Sequence, residues 1–248
     1  MDLGLNGRRA AVAAASAGLG YASAAALAAN GAKVAICGRD LARVEDAAAS
    51  IGHSAIGLVA DVGSAAGGAA FVLAATEALG GVDILVTNAG GPPPGNFAST
   101  PVDAYEPALD LNLLSVVGMC KTAVPAMQRQ GWGRVVAITS ISVRQPIAGL
   151  ILSNTSRAGA TGFLKTMARE VARDGVTVNS VLPGIHATAR ITSLYGSQPD
   201  AVQLGIPAGV VGDPGDFGQV VAFLCSEQAR FVTGVALTVD GGQDAALI

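Results

Sequence analysis

Ionisable side chains are scarce in this chain of 248 residues, since only 13% are Asp, Glu, Lys or Arg, against roughly a quarter in an ordinary soluble domain. The net charge of −3 excludes the basic surface of a nucleic-acid-binding protein. The three cysteines stand far apart, with no Cys-x-x-Cys pair, which excludes a disulfide scaffold and a zinc finger. Having only two histidines argues against a histidine metal site.

Tyrosine and lysine are also rare, and this bears on catalysis because both can transfer protons in enzymes. The chain contains Tyr21, Tyr105, Tyr195, Lys33, Lys121 and Lys165. The unpaired cysteines are Cys37, Cys120 and Cys225. Unpaired cysteines, together with the lack of a signal segment, predict a location in the reducing cytoplasm.

Ala10 to Ala32 contains no charged residue and follows Arg8 and Arg9, so its length would suit a membrane span or a signal peptide. The run consists mostly of small residues, however, and has too few large apolar side chains for membrane insertion. We predict instead a buried strand, a glycine turn and an alanine-rich helix.

Short apolar runs alternate with helical stretches to the end of the chain, which is the pattern of β-α-β units with right-handed crossovers. The predicted strands are Arg9–Ala15, Lys33–Cys37, Ala55–Ala60, Ile84–Thr87, Arg134–Thr139, Thr177–Leu182 and Ala236–Val239. The predicted helices are Leu19–Asn30, Leu41–Ser50, Ala65–Leu79, Tyr105–Arg129, Ser153–Arg173 and Pro214–Ser226. Nothing resembling a linker divides the chain, so we predict one α/β domain over residues 1–248. Its core would be a Rossmann-like, doubly wound parallel sheet of about seven strands with helices on both faces.

Ligands of such sheets bind beyond the carboxyl ends of the strands. The first strand leads into a glycine-rich turn over residues 13–20, which suits a phosphate at a helix N-terminus and equally suits a tight packing turn. After the second strand, Arg39 stands where NAD-binding sites usually place a carboxylate. A guanidinium there can hold a 2′-phosphate, which predicts NADP(H) rather than NAD(H); the alternative is a solvated arginine.

Further short motifs follow the later strands in a recognisable order. They are Asn88-Ala89-Gly90, Leu111-Asn112-Leu113, Ser140, Pro183-Gly184 with Thr188, and the run from Phe231-Val232-Thr233-Gly234 to Val239-Asp240-Gly241-Gly242. With these motifs the whole chain resembles the short-chain dehydrogenase/reductase family, nearest its 3-oxoacyl-carrier-protein reductase branch.

The resemblance implies a role for each cofactor-side position. Ser16, Gly18, Leu19 and Gly20 would wrap the pyrophosphate, and Asp61 and Val62 would hold the adenine. Asn88, Ala89 and Gly90 would pack the sheet against the cofactor, and Pro183, Gly184 and Thr188 would bracket the nicotinamide. One departure is Ala14, which stands where the family has glycine and adds a methyl group where the backbone comes closest to the adenosine.

The resemblance breaks at the catalytic group, which in the family is Asn, Ser, Tyr and Lys. Asn112 and Ser140 match, but Ser153 stands where the tyrosine is expected and Arg157 where the lysine is expected. A phenol has a pKa of about 10, and an alkanol hydroxyl lies several units higher, so Ser153 is a poor proton donor. Arg157 can hold the ribose hydroxyls, but it stays charged and cannot pass on a proton.

Another side chain could supply the proton. His186 lies two residues past Gly184 and titrates near neutral pH, so we predict it as a substitute acid, with a loop histidine of no chemical role as the alternative. Tyr195, in the expected substrate lid, is a weaker candidate. Arg144 follows Ser140 and would hold an acidic substrate group or lie solvated in its loop.

Three hypotheses remain open. The first is an NADP(H)-dependent oxidoreductase acting on a carbonyl or alcohol with an altered proton path. The second is a catalytically degenerate, cofactor-binding or structural subunit paired with an active paralogue. The third is non-redox chemistry on the same scaffold, through Ser140, Ser153 and Arg157. In each case the resemblance implies a homo-oligomer, a dimer or tetramer, unless a paralogue takes part, and neither a nucleic acid nor a membrane is expected as partner.

Overall fold

The apolar runs of the chain form one parallel sheet in the computed structural model, which describes residues 2–196 and 199–247, with only the backbone of Leu194 and Tyr195. Its strands are β1 (Arg9–Val12), β2 (Lys33–Gly38), β3 (Ile56–Val59), β4 (Ile84–Thr87), β5 (Gly133–Ile138), β6 (Val176–Pro183) and β7 (Ala236–Val239). The strand order is β3-β2-β1-β4-β5-β6-β7, and every neighbouring pair is parallel. This order confirms the doubly wound sheet.

Helices connect the strands and cover both faces of the sheet. They are α1 (Gly18–Ala29), α2 (Leu41–Ile51), α3 (Ala65–Leu79), α4 (Tyr105–Leu109), α5 (Ser115–Gln130), α6 (Ile151–Val171), α7 (Ala189–Tyr195) and α8 (Pro214–Leu224). Asp40 caps α2 by accepting the N–H of Arg43, and Ser64 caps α3 by accepting the N–H of Gly67. Both caps satisfy amide groups that the helix itself leaves unpaired.

Two apolar clusters, one on each face of the sheet, form the core. On one of them α1 and α8 approach closely, because Gly218 lies directly against the backbone of Ala22. A side chain at position 218 would meet that backbone and push the helices apart. The chain is rich in small residues and poor in charged ones, and small residues such as Gly218 and Ala22 allow the helices to pack closely.

Several helix and strand ends shift by one or two residues from the prediction, and four differences bear on the site. β1 ends at Val12 rather than at residue 15, because Ala14 takes a left-handed backbone conformation with φ 47°. The predicted helix 105–129 is interrupted by a π-helical segment over Asp110–Leu114. α6 begins two residues before Ser153. Helix α7, in the segment without a sequence signature, was not predicted.

The uncharged run from Ala10 to Ala32 is accounted for by β1, the turn and α1. No helix of residues 2–196 and 199–247 combines the length and the apolar character needed to cross a bilayer.

The chain changes direction across the sheet between β3 and β4, since β3 lies at one edge and β4 pairs with β1 near the centre. A doubly wound sheet opens a crevice at such a switch point, at the carboxyl ends of the two central strands. Residues that follow β1 and β4 therefore face each other across a cleft.

Candidate functional site

The turn after β1 lies close against the loop after β4. The amide of Asn88 donates from Nδ2 to the carbonyl oxygen of Ala14 at 3.1 Å. A methyl group at Gly20 would lie 2.8 Å from that oxygen and 2.8 Å from Asn88 Nδ2. Ala17, which precedes α1, makes no side-chain cap. The first N–H groups of α1 thus point into the crevice without a side-chain acceptor, as a pyrophosphate site requires.

Ala14 is held in the left-handed region by its surroundings. Its φ is 47°, and its N–H donates to Cys37 Sγ at 3.3 Å. A residue with a Cβ pays about 1–2 kcal/mol for this conformation, whereas glycine pays none. Alanine in place of the family's glycine at position 14 therefore strains the turn and also adds a methyl group to it.

Past the end of β2, a basic edge lies beside the turn. A methyl group at Gly38 would lie 3.1 Å from Ser16 Oγ, which brings the second strand end against the turn. Arg39 is exposed there. Arg43, which sequence reasoning missed, lines a groove of about 350 Å³ together with Ser16 and Tyr21. It could have been found from its position in the first turn of α2, which begins at the strand end.

Asp61 and Val62 follow β3 on the same edge. Asp61 is exposed and accepts the N–H of Gly63 at 2.9 Å, whereas Val62 is buried in the core. Leu19, the remaining turn residue, is half-buried on α1 and packs against the opposite core cluster. At the predicted adenine position, Asp61 therefore presents its carboxylate to solvent, and Val62 contributes an apolar side chain from the core.

Asn112 lies in the π-helical segment, and this segment turns its side chain towards the loop after β4. Asn112 is 4% exposed and donates from Nδ2 to the carbonyl oxygen of Gly90 at 2.9 Å. Its Oδ1 is buried and has no partner among the described residues. A buried amide oxygen without a partner is costly unless water or a ligand occupies the space beside it. Ala89 lies between the two anchors Asn88 and Gly90 in this loop.

Ser153 and Arg157 form one hydrogen-bonded unit on α6. Arg157 Nε donates to Ser153 Oγ at 3.2 Å, and its Nη1 donates to the carbonyl oxygens of Thr139 at 3.0 Å and Ile138 at 3.3 Å. Ser140, the next residue along, is half-buried, and its Oγ accepts the N–H of Ser142 at 3.1 Å. The unit thus stands at the carboxyl end of β5, beside Ser140.

Burial removes the Arg157 guanidinium from water, and Arg190 adds a second positive charge nearby. These two effects, burial being the larger, lower the pKa of Arg157 to about 10. The guanidinium remains charged at neutral pH, so it can stabilise negative charge but cannot act as an acid there.

The loop after β6 lies against the turn. Gly184 follows Pro183 at the end of β6, and a methyl group at Gly184 would lie 2.7 Å from Asp240 Cβ. Thr188 precedes α7 and lies beside Gly18. A methyl group added at Gly18 would be 3.7 Å from Thr188 Cγ2. Thr188 is thereby brought to the predicted pyrophosphate turn.

His186 makes no hydrogen bond with Ser140 or Ser153 among the described residues. Its ring is 4% exposed and packs edge-on against Phe217, with ring centroids 5.1 Å apart. Its Nδ1 lies 3.3 Å from the carbonyl oxygen of Gly184, and burial lowers its pKa. This burial argues against His186 as the substitute acid and favours the alternative of a loop histidine with no chemical role. The side chain of Tyr195 lies outside the described part of the chain.

Arg144 is 26% exposed and forms an ion pair with a residue near the end of the described chain. Its Nε lies 3.0 Å from Asp244 Oδ2, and the Asp244 side chain is 5% exposed. The neighbouring Gln145 accepts the N–H of Ala245 at 2.9 Å. Residues 244 and 245 are thereby bound to the loop after β5. The contact joins positions 100 residues apart, so the sequence alone could not reveal it.

Arg190 is a further residue that sequence reasoning missed. It is exposed on α7, yet its guanidinium lies against Gly91 in the loop after β4, where a Cβ would be 2.9 Å from Nη2 and would also meet Nη1. Arg190 thus spans the crevice from one side to the other. The sequence around Arg190 shows neither a motif nor a clear periodicity, so it gave no signal for this long-range contact.

Comparison with known proteins gives matches over the whole chain. Residues 13–244 match a family model described as enoyl-(acyl carrier protein) reductase. The chain is 35% identical over 240 residues to the 3-oxoacyl-(acyl-carrier-protein) reductase FabG of Vibrio cholerae, covering 97% of this chain and 98% of that protein. It is 33% identical over 231 residues to dehydrogenase/reductase SDR family member 4 of Homo sapiens, covering 91% and 83%.

A solved structure shares the fold in full. It is the L-sorbose reductase of Gluconobacter frateurii, complexed with NADPH and L-sorbose. It superposes with a TM-score of 0.92 at 28% identity, and the match covers 100% of both chains.

Proposed function

The chain belongs to the short-chain dehydrogenase/reductase family, and we propose that it is an NADP(H)-dependent oxidoreductase, folded as a single domain over residues 1–248, that interconverts a carbonyl and an alcohol. Its active site is atypical, with Ser140, Ser153 and Arg157 in place of the family's Ser, Tyr and Lys. The observation that carries the proposal is the Arg157–Ser153 unit, which is hydrogen-bonded at the carboxyl end of β5 beside Ser140.

The crevice fits a dinucleotide. Gly20 leaves no room for a side chain between Ala14 and Asn88, so only a bare backbone suits the turn. Thr188 approaches the same turn from α7. Ser16, Gly18, Leu19 and Gly20 would hold the pyrophosphate, and Asp61 and Val62 the adenine. Asn88, Ala89 and Gly90 would support the cofactor, and Pro183, Gly184 and Thr188 would bracket its nicotinamide, with Arg157 on the ribose hydroxyls.

NADP(H) is favoured over NAD(H) because the edge past β2 offers two guanidinium groups. Arg39 is exposed at the strand end, and Arg43 lines the groove beside Ser16. Of the two carboxylates nearby, Asp40 is engaged in capping α2, and Asp46 lines the groove one helical turn beyond Arg43. Guanidinium groups bind a phosphate through charge-assisted hydrogen bonds, and a carboxylate would repel it. The structurally similar sorbose reductase is complexed with NADPH.

When bound, the nicotinamide cofactor supplies or accepts the hydride. In the reducing direction Ser140 and Ser153 donate hydrogen bonds to the substrate carbonyl oxygen. Arg157 stabilises the negative charge that develops there through its contact with Ser153. The proton passes from the Ser153 hydroxyl to that oxygen, and a proton from solvent, relayed through water held at the unpartnered Oδ1 of Asn112, restores the hydroxyl. An alkanol is a weak acid, so this path is slow compared with a phenol.

The proposal is tested by calorimetric titration with NADPH and NADH, followed by NADPH oxidation across a panel of aldehydes, ketones and oxo acids. We expect NADPH to bind more tightly than NADH, and at least one carbonyl compound to be reduced. Absence of NADPH binding would overturn the cofactor assignment. Tight binding without reduction of any compound would favour the degenerate subunit, and co-purification with an active paralogue would then identify its role.

A further inference from the structure

Two positively charged side chains face the same crevice without a negative partner. Arg157 stands at the carboxyl end of β5 and Arg190 lies over Gly91, in the loop after β4. β4 and β5 are neighbours, with Thr87 opposite Ala137. Among the described residues, ion pairs engage Arg8, Arg9, Arg134 and Arg144, and none engages Arg157 or Arg190.

Arg157 has donors to spare. Its Nε is taken by Ser153 Oγ and its Nη1 by the two β5 carbonyl oxygens, whereas its Nη2 makes no hydrogen bond within the described residues. The guanidinium is thus fixed in orientation, and Nη2 is its one nitrogen without a partner among the described residues. This nitrogen can donate a charge-assisted hydrogen bond to one further acceptor.

Arg190 is seated by the backbone beneath it. Gly91 has no side chain, so the guanidinium can lie directly on the loop. Its like charge is close enough to lower the pKa of Arg157, an effect secondary to burial. Two like charges held together in this way are mutually destabilising until an anion lies between them.

From this pair of guanidinium groups we propose that Arg190, with the positive charge of Arg157 beside it, binds a carboxylate of the substrate, so that the enzyme acts on oxo acids rather than on neutral carbonyl compounds. The inference rests on the proposed function and specifies its substrate class. Ser140 and Ser153 hold the reacting carbonyl oxygen, Arg157 holds the ribose hydroxyls, and Arg190 holds the acid group. Arg190 acts as the specificity-determining residue, because its guanidinium lies over the loop after β4 and no hydrogen bond among the described residues joins it to Ser140 or Ser153.

The test compares each acid with its own ester, because the pair differs in charge and shares the carbonyl. The probes are pyruvate, acetoacetate and levulinate, each against its ethyl ester. Calorimetry measures their dissociation constants with NADP⁺ bound, so that no turnover occurs, and again without NADP⁺. We expect at least one acid to bind about 10- to 100-fold more tightly than its ester, the gain typical of a charge-assisted hydrogen bond.

Two variants locate the effect. Arg190→Gln is expected to abolish the preference for the acid, and Arg190→Lys to keep part of it. Gly91→Ala is expected to reduce the preference as well, because its methyl group displaces the guanidinium while leaving the charge. Arg173→Gln, an exposed arginine just beyond α6, is the matched control and should retain the wild-type ratio.

Equal binding of acids and esters, or a preference unchanged in Arg190→Gln or Gly91→Ala, would overturn the proposal. A weaker NADP⁺ affinity of Arg190→Gln with an unchanged acid-to-ester ratio would overturn it too, because the anion would then be a cofactor phosphate. The proposed function fails separately: if no NADP⁺ binds but the acid preference persists, the cofactor assignment is wrong and the anion site stands.

Discussion

The Nε–H of Arg157 donates a hydrogen bond to the Oγ of Ser153 across 3.2 Å, one helical turn apart on α6. The same guanidinium is fixed by the carbonyl oxygens of Ile138 and Thr139, so it cannot swing away. A positive charge is therefore held permanently against a hydroxyl group. The site therefore keeps a cation beside the hydroxyl group, as the family's Tyr and Lys do, but it lacks an acid strong enough to transfer a proton quickly.

Restoring the acid should restore the rate. The double variant Ser153→Tyr with Arg157→Lys places a phenol of pKa about 10 next to a cation. We expect the rate constant for NADPH-dependent reduction to rise by roughly 10²- to 10⁴-fold, the usual contribution of a general acid. The rate is measured by NADPH absorbance with one carbonyl compound at a fixed concentration.

A matched control carries the tyrosine elsewhere on the same helix. Thr155 is exposed on α6, and Thr155→Tyr with Arg157→Lys should give no gain. A double variant at 153 and 157 that binds NADPH and remains as slow as the wild type would contradict the proton path.

Selectivity for NADPH should depend on the basic edge past β2. Arg39→Ala is expected to weaken NADPH binding about tenfold, the worth of one charge-assisted hydrogen bond to phosphate, and to leave NADH binding unchanged. Arg43→Ala should act in the same direction. Calorimetry with both nucleotides measures the ratio, and Lys33→Ala, an exposed cation at the start of β2, is the control. If both nucleotides weakened equally, the arginines would serve the fold rather than the 2′-phosphate.

The fold could be predicted because its signals are local and repeated. Most strands are short and largely apolar, and several boundaries are marked by a glycine, an asparagine or a cap such as Asp40 or Ser64. The doubly wound parallel sheet followed from the β-α-β rule and from the family resemblance. The break at Asn112 could not be predicted, because Leu111 and Leu113 on either side read as ordinary helix.

The site was less predictable, because its contacts join distant parts of the chain. Arg144 meets Asp244, and Arg190 lies over Gly91. Neither contact leaves a trace in local spacing. The burial of His186 could not be predicted, because its position in the loop is visible in the sequence, whereas the side on which its ring packs is not. Ser153 and Arg157 were located because the family resemblance places the catalytic pair at these two positions, and a spacing of four residues puts them on one helix face.

The strained turn at Ala14 predicts that a smaller residue stabilises the protein. Ala14→Gly removes about 1–2 kcal/mol of left-handed strain but loses about 0.5–1 kcal/mol because the unfolded chain becomes more flexible, so the free energy of unfolding should rise by up to about 1.5 kcal/mol. NADPH should bind more tightly. Urea denaturation measures the first effect and calorimetry the second. Ala13→Gly, at a fully buried position of ordinary conformation, should destabilise the protein; an equal loss at both positions would contradict the strain.

The burial of His186 should make the protein sensitive to acid. Burial lowers the pKa of this imidazole from its ordinary value of 6.5. Below that pH the unfolded chain takes up a proton that the folded protein does not, so the free energy of unfolding falls as the pH drops, by at most about 1.4 kcal/mol per pH unit.

His186→Phe, which keeps an aromatic ring against Phe217, should flatten this part of the slope between pH 7.5 and 5.5 in urea denaturation and leave reductase activity in place. His53→Asn, at an exposed position with positive φ, should keep the wild-type slope. If His186→Phe lost its activity while its fold remained intact, the histidine would have the catalytic role that its packing denies it.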